Sequence, residues 1–343
     1  MRVILIIWVV SLSVQVFAQN SKVTIDTNKN LEFLGYIIEQ GDPMGNDKNH
    51  PVSIIIDMYP ENKNSEALFK LFDLASNIDY STLTNLMYFL PELPFDNNYK
   101  VPQDLALRLG FKSKEEENKL NEIVNELNGF YYESNFETIW NALDPYRKNI
   151  TSFLKDNKPD EKVFSFMEMF YQYQYDQYRI VPIITLWSAG FGIRNYENNN
   201  AVFVMGPLDL NYDFNDQDAF INLAIHEFGH SFVNEVVLKS KNLTEKNMAL
   251  FEPIKEAMVK QGYSNWETCV IEHFVRAGEI IVRKLMGNEN QSDILLNDYT
   301  NNRKFIYLNS IVDDLMRYRL DKNYSYDKAV KLTLDNMSKM KID

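Results

Sequence analysis

The chain has 343 residues, 45% of them hydrophobic, with 48 acidic against 35 basic side chains and a formal net charge of -13. Such an acidic chain is a poor candidate for a nucleic-acid-binding protein, because phosphate backbones are bound by concentrated basic surfaces. Cys269 is the single cysteine, which excludes an internal disulfide, so the fold must be stabilised by the large apolar core that a chain of this length can bury.

The first residues predict export from the cytoplasm. The segment MRVILIIWVVSLSVQVFAQ begins with one Arg, continues through an apolar stretch from Val3 to about Val16, and ends in small residues before Gln19. This pattern is typical of a cleavable signal peptide over residues 1–18, with an uncleaved membrane anchor as the alternative. The apolar stretch is shorter than the roughly 20 residues that span a bilayer. We therefore expect a secreted or periplasmic protein with no stable membrane insertion after cleavage.

Residues 19–178 are expected to form a helical N-terminal part. The segment KVTIDTNKNLEFLGYIIEQ, at 22–40, predicts a short strand followed by an amphipathic helix. From Ser65 to about Phe153, apolar residues recur at the three- and four-residue spacing of helices. This pattern is interrupted at three prolines: Pro91, Pro94 and Pro102.

The composition changes at Arg179, where a second part, 179–343, is expected to begin. RIVPIITLW and AVFVMGP are rich in β-branched and aromatic residues, and SAGFGIRNYENNN separates them, which predicts two strands joined by a long loop. Pro182 indicates that the first strand begins or borders its sheet. AVFVMGP is expected to be an edge strand along which an extended peptide could bind, with an ordinary core strand as the alternative.

Helices are predicted after the strands. One runs from about Asp216 to Lys239, with Asn215 or Asp216 as its N-cap. The next begins at the capping-box pattern SNWE, 264–267, and ends between Lys284 and Gly287. Two more are expected, at about Lys304–Leu320 and Asp327–Met340. The fold class is therefore α+β, mostly helical, with a small mixed or antiparallel sheet packed on the helix over 216–239.

The stretch AIHEFGHSF, 224–232, contains two of the four histidines of the chain. On a helix, His226 and His230 lie about 40° apart and one turn from each other, so both imidazoles face one small volume. Glu227 lies at the rim of that face. Two neutral nitrogen ligands beside a carboxylate that can accept the proton of a bound water are the components of a hydrolytic zinc site. The alternative is a buried helix whose two histidines bond to backbone or water.

The same helix has a separate apolar stripe on the side away from the histidines. Its members follow the helical period: Ile221, Ile225, Phe228, Phe232 and Val236. The stripe leaves the histidine face available to line a cleft.

HEFGH, 226–230, resembles the active-site motif of the zincin metallopeptidases. The chain is also similar to an uncharacterised family of secreted bacterial proteins that carries this motif, through residues 22–40, the strand pair before the motif and EHFVRAGE at 272–279. Metzincins have a Gly and a third His where this chain has Val233 and Val236, so the resemblance is to the gluzincins. It implies a zincin-like fold for 179–343.

The resemblance also implies a third metal ligand, because gluzincins take a Glu from the following helix. Glu272 is the first choice, with Glu252 and His273 as alternatives. Glu272 shares a narrow strip of its helix with three further charged residues, a pattern that also fits a solvated face: Arg276, Glu279 and Arg283. Many gluzincins orient a histidine with an Asp four residues after the ligand Glu. That position is Arg276 here, so the role is not carried over.

We therefore expect a zinc-dependent hydrolase that acts on a peptide or protein substrate. Glu227 would accept a proton from metal-activated water and pass it to the leaving amine. Three residues are candidate donors to the oxyanion: Arg276, Tyr299 and Tyr307. Two other functions are open: a secreted interaction protein on a zincin-like scaffold, and a hydrolase of non-peptide amides.

Overall fold

The structure, a computed structural model, describes residues 22–43, 45–96 and 98–340. The expected signal peptide, residues 1–18, lies outside the described residues. Within them, no helix is both long enough and apolar enough to cross a membrane.

Among the described residues, the first half of the chain is helical after one short strand. Its elements are β1 (Val23–Ile25), α1 (Lys29–Gly41), α2 (Pro51–Ile56), α3 (Glu66–Ala75), α4 (Tyr80–Phe89), α5 (Gln103–Arg108), α6 (Lys114–Glu133), α7 (Phe136–Ala142), α8 (Asp144–Asp156) and α9 (Glu161–Tyr171). A 3-10 helix covers Pro60–Asn64. The predicted strand and helix over 22–40 are confirmed, and the stretch with Pro91, Pro94 and Pro102 separates α4 from α5.

The second half contains the rest of the sheet and seven α-helices. The elements are β2 (Gln177–Pro182), β3 (Gly190–Asn195), β4 (Asn200–Met205), α10 (Gln217–Leu238), α11 (Lys241–Lys246), α12 (Lys255–Lys260), α13 (Trp266–Leu285), α14 (Glu289–Asn297), α15 (Leu308–Leu315) and α16 (Tyr326–Met337). A 3-10 helix covers Met248–Ile254, and π-helical turns cover Asp298–Asn302 and Met316–Asp321.

The four strands form one mixed sheet in the order β1-β2-β4-β3. β1 and β4 run parallel to β2, and β3 runs antiparallel to β4 with Gly192 opposite Phe203. A mostly helical α+β fold with a small mixed sheet was predicted from the sequence, and the structure confirms it.

Two details of the predicted strands are wrong. The expected loop between RIVPIITLW and AVFVMGP contains β3, so β4 is an interior strand with all six residues buried, and β3 is one of the two edge strands. Pro182 ends β2 instead of beginning it. It lies beyond Ile180, the last residue paired with β1, so its missing N–H leaves no gap in that pairing.

The sheet lies between two apolar cores because neighbouring residues of a strand face opposite sides. Ile180 and Phe203 pack into one core with Phe228 of α10 and Phe274 of α13. The alternate positions of the same strands pack into a second core with N-terminal helices, and they include Val181, Val202 and Val204. Each face of the sheet is therefore covered by helices.

Most of helix α10 is buried or half-buried. Asp216 caps it, accepting the backbone N–H of Ala219 at 2.9 Å, as the sequence predicted. Three members of the expected stripe are buried, namely Ile225, Phe228 and Phe232, whereas Ile221 and Val236 are only half-buried. The opposite side of the helix is covered by β3 and by α13.

The later helices begin at different residues from those predicted. Asn265 caps α13 alone by accepting the N–H of Thr268 at 2.9 Å, so SNWE is not a capping box here. The helix ends before Gly287, whose φ of +82° suits a glycine. The helix predicted from Lys304 begins only at Leu308, since Lys304 has a φ of +65°.

Two glycines allow β3 to lie directly on α10. A Cβ atom at Gly190 would stand 2.5 Å from Oε1 of Glu227, and one at Gly192 would overlap the backbone oxygen of Glu227. The strand and the helix are therefore in backbone contact at the position of the HEFGH motif. A side chain at Gly192 would force the two elements apart.

We expect Gly192→Ala to lower the free energy of unfolding by about 1–3 kcal/mol, because the new methyl group overlaps backbone that has nowhere to move. Gly129→Ala is the matched control, since Gly129 lies in α6 with no atom within 4 Å of an added Cβ. That control should raise stability by up to about 1 kcal/mol. Urea unfolding of both variants measures the difference, and equal stability of Gly192→Ala and the parent would contradict the close contact.

Candidate metal centre

The two histidines of the motif extend from one face of α10 into a cleft. The centroids of the His226 and His230 rings are 5.1 Å apart, and their planes are nearly perpendicular, at 84°. Each side chain keeps a small exposed fraction, 12% for His226 and 14% for His230. Both rings are therefore held by the fold and remain accessible from the cleft.

Glu272 of α13 closes the group. Its Oε1 lies 3.2 Å from Nε2 of His230, and its Oε2 lies 3.6 Å from Nε2 of His226. Ligand atoms of the three residues lie within 4.8 Å of one another. Bonds of about 2.0–2.1 Å in a tetrahedron place neighbouring ligand atoms about 3.3 Å apart. The donor set and its spacing therefore fit one metal ion.

Neither alternative third ligand reaches the histidines. The side chain of Glu252 is 81% exposed and lies 3.9 Å from Nζ of Lys255. His273 is completely buried, with Nδ1 2.8 Å from the carbonyl oxygen of Cys269, and burial lowers its pKa to about 4. His273 is thus a neutral core residue. Of the three candidate third ligands, Glu272 is the one whose side chain faces both imidazoles.

The polar strip of α13 is buried against α10 and does not face solvent. Glu272, Arg276, Glu279 and Arg283 are each no more than 6% exposed. Charged side chains that are buried this deeply need polar partners, and those partners are provided by residues of this cleft. Arg276 lies 3.3 Å from Oε2 of Glu272, and Arg283 contacts the amide oxygen of Asn222 on α10. The strip therefore belongs to the site.

Each histidine has an oxygen beside its other ring nitrogen. Asn234 places Oδ1 3.0 Å from Nδ1 of His230, and Glu279 places Oε2 3.6 Å from Nδ1 of His226. The Asn234 oxygen is within hydrogen-bond distance and orients the ring of His230, whereas the longer Glu279 contact places a carboxylate beside His226 without a hydrogen bond. The sequence analysis missed Glu279 in this role. Its spacing of seven residues from Glu272 placed it on the same strip of α13, and this spacing was the sequence feature that could have indicated the role.

The charges of the three grouped residues are strongly coupled. Burial alone would raise the pKa of Glu272, but His230, His226 and Arg276 outweigh it and hold that pKa well below its usual range. Burial likewise disfavours a charged His230, yet the Glu272 carboxylate raises the pKa of His230 to about 9. A metal ion bound by these residues would displace the proton that His230 otherwise holds against Glu272.

Glu227 stands beside this group without belonging to it. Its carboxylate rests against Gly190 of β3 and lines the same cleft. The residue is only 5% exposed, and burial raises the pKa of its carboxyl group. A raised pKa brings a carboxylate closer to the range in which it can accept and return a proton at neutral pH.

The cleft has a volume of about 610 Å³ and is open to solvent. Of the three expected oxyanion donors, Arg276 and Tyr299 line it, but both are engaged: Arg276 with Glu272, and Tyr299 as a donor to Oε2 of Glu279 at 2.9 Å. The expectation for Tyr307 is wrong. Its hydroxyl donates to the carbonyl of Leu250 at 2.7 Å, outside the cleft.

Tyr263 is a cleft residue that the sequence analysis missed. Its hydroxyl oxygen accepts a hydrogen bond of 3.1 Å from Arg276, so its own hydrogen is free to point into the cleft. Burial raises the pKa of Tyr263 to about 12, which keeps the phenol protonated at neutral pH. The residue lies in the turn before α13, where no sequence pattern distinguishes it from other tyrosines.

We expect Glu279→Ala to weaken zinc binding by about 10- to 100-fold, because His226 loses the carboxylate beside its Nδ1, which would accept the ring N–H once the metal is bound. The matched control is Glu256→Ala, which removes an exposed carboxylate of α12 paired with Lys260. Competition with a chelating dye measures both affinities. An unchanged zinc affinity in Glu279→Ala would show that His226 is oriented without this contact.

Comparison with known proteins gives one result for this chain. No curated protein and no solved structure matches it significantly. A family model described as a domain of unknown function, DUF4932, matches residues 95–330. That span includes both histidines of the motif, Glu227 and the whole of α13, and it covers more than half of the sequence. The chain therefore belongs to the DUF4932 family.

Proposed function

We propose that this protein is an exported zinc metallopeptidase of the gluzincin type. One observation carries the proposal: Nε2 of His226, Nε2 of His230 and the carboxylate of Glu272 converge from two helices, with Glu227 beside them in an open cleft. A buried pair of structural histidines would need neither the cleft nor the second carboxylate. The export part of the proposal rests on residues 1–18 and their signal-peptide pattern.

Zinc is the ion that this donor set favours. Two imidazoles and one carboxylate suit Zn²⁺, whereas Mg²⁺ and Ca²⁺ prefer sites made of oxygen ligands. Held by His226, His230 and Glu272, a zinc ion would supply an acidified water and would polarise the carbonyl to be attacked. The residues around the ligands then determine which bond is broken.

Glu227 is the proposed proton carrier. It would take a proton from the attacking water and deliver it to the leaving nitrogen, so one carboxyl group serves as base and then as acid. The contact with Gly190 holds the carboxylate in the cleft, beside the ligands and not among them. The raised pKa of Glu227 suits a group that must be protonated and deprotonated in each turnover.

Tyr263 is the proposed donor to the oxyanion. Its oxygen already accepts from Arg276, which polarises the phenol and directs its hydrogen away from the arginine. Arg276 thus acts through two neighbours, as a positioning residue for Glu272 and for Tyr263. This assignment replaces Arg276, Tyr299 and Tyr307 as direct donors.

The free edge of strand β3 favours a peptide as the substrate, because an extended peptide could pair with its backbone. Ala189 accepts a hydrogen bond from Gly206, on the β4 side, so the backbone groups of alternate residues Gly190, Gly192 and Arg194 face the other way. No strand among the described residues pairs with that edge. An extended peptide added there would pass directly over Glu227 and His230. A second cavity, of about 220 Å³, continues the groove beyond His230.

We expect the purified protein to bind one zinc ion and to cleave peptides. The variant Glu227→Gln should keep the zinc but lose at least about 1,000-fold in kcat, because the proton carrier is removed. Glu245→Gln, an exposed substitution after α10, is the control and should leave both properties unchanged. Zinc is measured by elemental analysis, and cleavage by mass spectrometry of a peptide library.

The outcomes separate the alternatives. Zinc without cleavage of any peptide would favour the binding protein on a zincin-like scaffold. Cleavage of non-peptide amides alone would favour the other hydrolase. Equal peptide cleavage by Glu227→Gln and the parent would contradict the role of Glu227.

We expect Tyr263→Phe to lower kcat by about 100-fold with zinc content unchanged, because the cleft loses a donor to the developing negative charge. Tyr307→Phe removes the same atom from a tyrosine outside the cleft and serves as the control. Steady-state kinetics on one cleaved peptide measures both. A change confined to KM in Tyr263→Phe would mean that Tyr263 binds the substrate and does not stabilise the oxyanion.

A further inference from the structure

The two arginines that line the cleft differ in their partners. The charge of Arg276 is used within the site, because its guanidinium contacts Glu272. Arg303 lines the cleft with Arg276, yet among the described residues no carboxylate oxygen lies within 4.0 Å of its nitrogens. Arg303 is therefore a cleft cation without a counter-charge.

The side chain of Arg303 is held in place by neutral groups. Its Nε donates to Oε1 of Gln261 at 3.1 Å, and Nε2 of the same glutamine donates to the backbone oxygen of Arg303 at 2.8 Å. Its guanidinium lies 5.5 Å from the ring centroid of Tyr299 and 5.9 Å from that of Phe305. The one hydrogen bond that the Arg303 side chain donates to a described residue comes from Nε, so both terminal nitrogens are left to donate to a ligand.

We propose that Arg303 is a specificity residue that binds a carboxylate of the substrate. A guanidinium whose two terminal nitrogens are free matches the two oxygens of a carboxylate, and such paired contacts are stronger than neutral hydrogen bonds. This inference rests on the proposed peptidase function and adds the substrate class to it: peptides with a free carboxylate near the bond that is cleaved.

The position of Arg303 connects it to the metal centre. Tyr299 packs against the guanidinium groups of both Arg303 and Arg276 and donates its hydroxyl to Glu279, which faces His226. Arg303 thus lies on the α13 side of the cleft, and β3 lies at its other wall. A peptide paired with β3 would extend a carboxylate across the cleft toward Arg303.

The charge of the whole protein does not attract an acidic substrate, so the local charges of the cleft matter. With a net charge of -13, the chain repels anions at long range. In the cleft, three glutamates and two arginines are present, and a bound divalent ion would leave an excess of positive charge there. Arg303 thus supplies a local positive charge that opposes the negative field of the whole protein.

The test uses N-acetylated hexapeptides that differ only in Glu or Gln at one varied position, each with a free or an amidated C-terminus. Binding to the zinc-loaded Glu227→Gln protein is measured by calorimetry, so turnover does not interfere. We expect peptides with the correctly placed carboxylate to bind about 10- to 100-fold more tightly than their amide partners. The comparison of Glu with Gln tests a side-chain carboxylate, and the comparison of free with amidated C-termini tests the terminal carboxylate, so together they identify which carboxylate is bound.

Arg303→Gln should remove this preference, and Arg303→Lys should keep part of it, since an ammonium is a point charge without the paired geometry. Lys260→Gln removes one positive charge from an exposed residue beside Gln261 and should leave the preference intact. Equal binding of acid and amide peptides, equal weakening of both by Arg303→Gln, or no binding of any peptide would overturn the inference.

The same titration on metal-free protein separates the two proposals. If the protein proves unable to bind zinc but still prefers carboxylate peptides through Arg303, the carboxylate subsite is supported and the peptidase function is contradicted. Zinc binding and peptide cleavage without a carboxylate preference would keep the peptidase and contradict the subsite.

Discussion

The packing of α13 against α10 is the contact on which the candidate site depends. α10 alone supplies two imidazoles and a carboxylate, which do not by themselves close a metal site. α13 adds Glu272 at 3.2 and 3.6 Å from the two Nε2 atoms, and Glu279 beside Nδ1 of His226. One helix–helix interface thus supplies the candidate third ligand and a second carboxylate beside the histidines. The glycines of β3 complete the arrangement, because they let the sheet edge lie on the opposite side of Glu227.

The interface buries charge that an ordinary core would not contain. Glu272, Arg276 and Glu279 are at most 6% exposed, and each has a partner in the cleft. Breaking such a group by removing one member is strongly destabilising, whereas apolar replacements of similar volume are often tolerated. Buried charge is therefore weak evidence for a role in stability alone. The proposed role in binding a cation would account for why Glu227, Glu272 and Glu279 lie around two histidines.

The fold and the core of the site were predictable from the sequence because they follow local periodicity. The helical spacing of His226 and His230 and the apolar pattern around them placed both rings on one face. β3 was missed because its GFG segment has low strand propensity, and its role is to approach α10 closely. Tyr263 was missed because its value comes from Arg276, a partner 13 residues away that only the tertiary fold brings within 3.1 Å. The choice among Glu272, Glu252 and His273 likewise required the packing of α13, which no local pattern specifies.

Zinc and peptide hydrolysis remain proposals, and the ligand set is their central claim. A crystal of the zinc-loaded protein, with diffraction data on both sides of the zinc absorption edge, tests it most directly. The account predicts one anomalous peak in contact with Nε2 of His226, Nε2 of His230 and a carboxylate oxygen of Glu272. A peak bound by other residues, or no peak at these three side chains in a crystal grown with excess zinc, would contradict it.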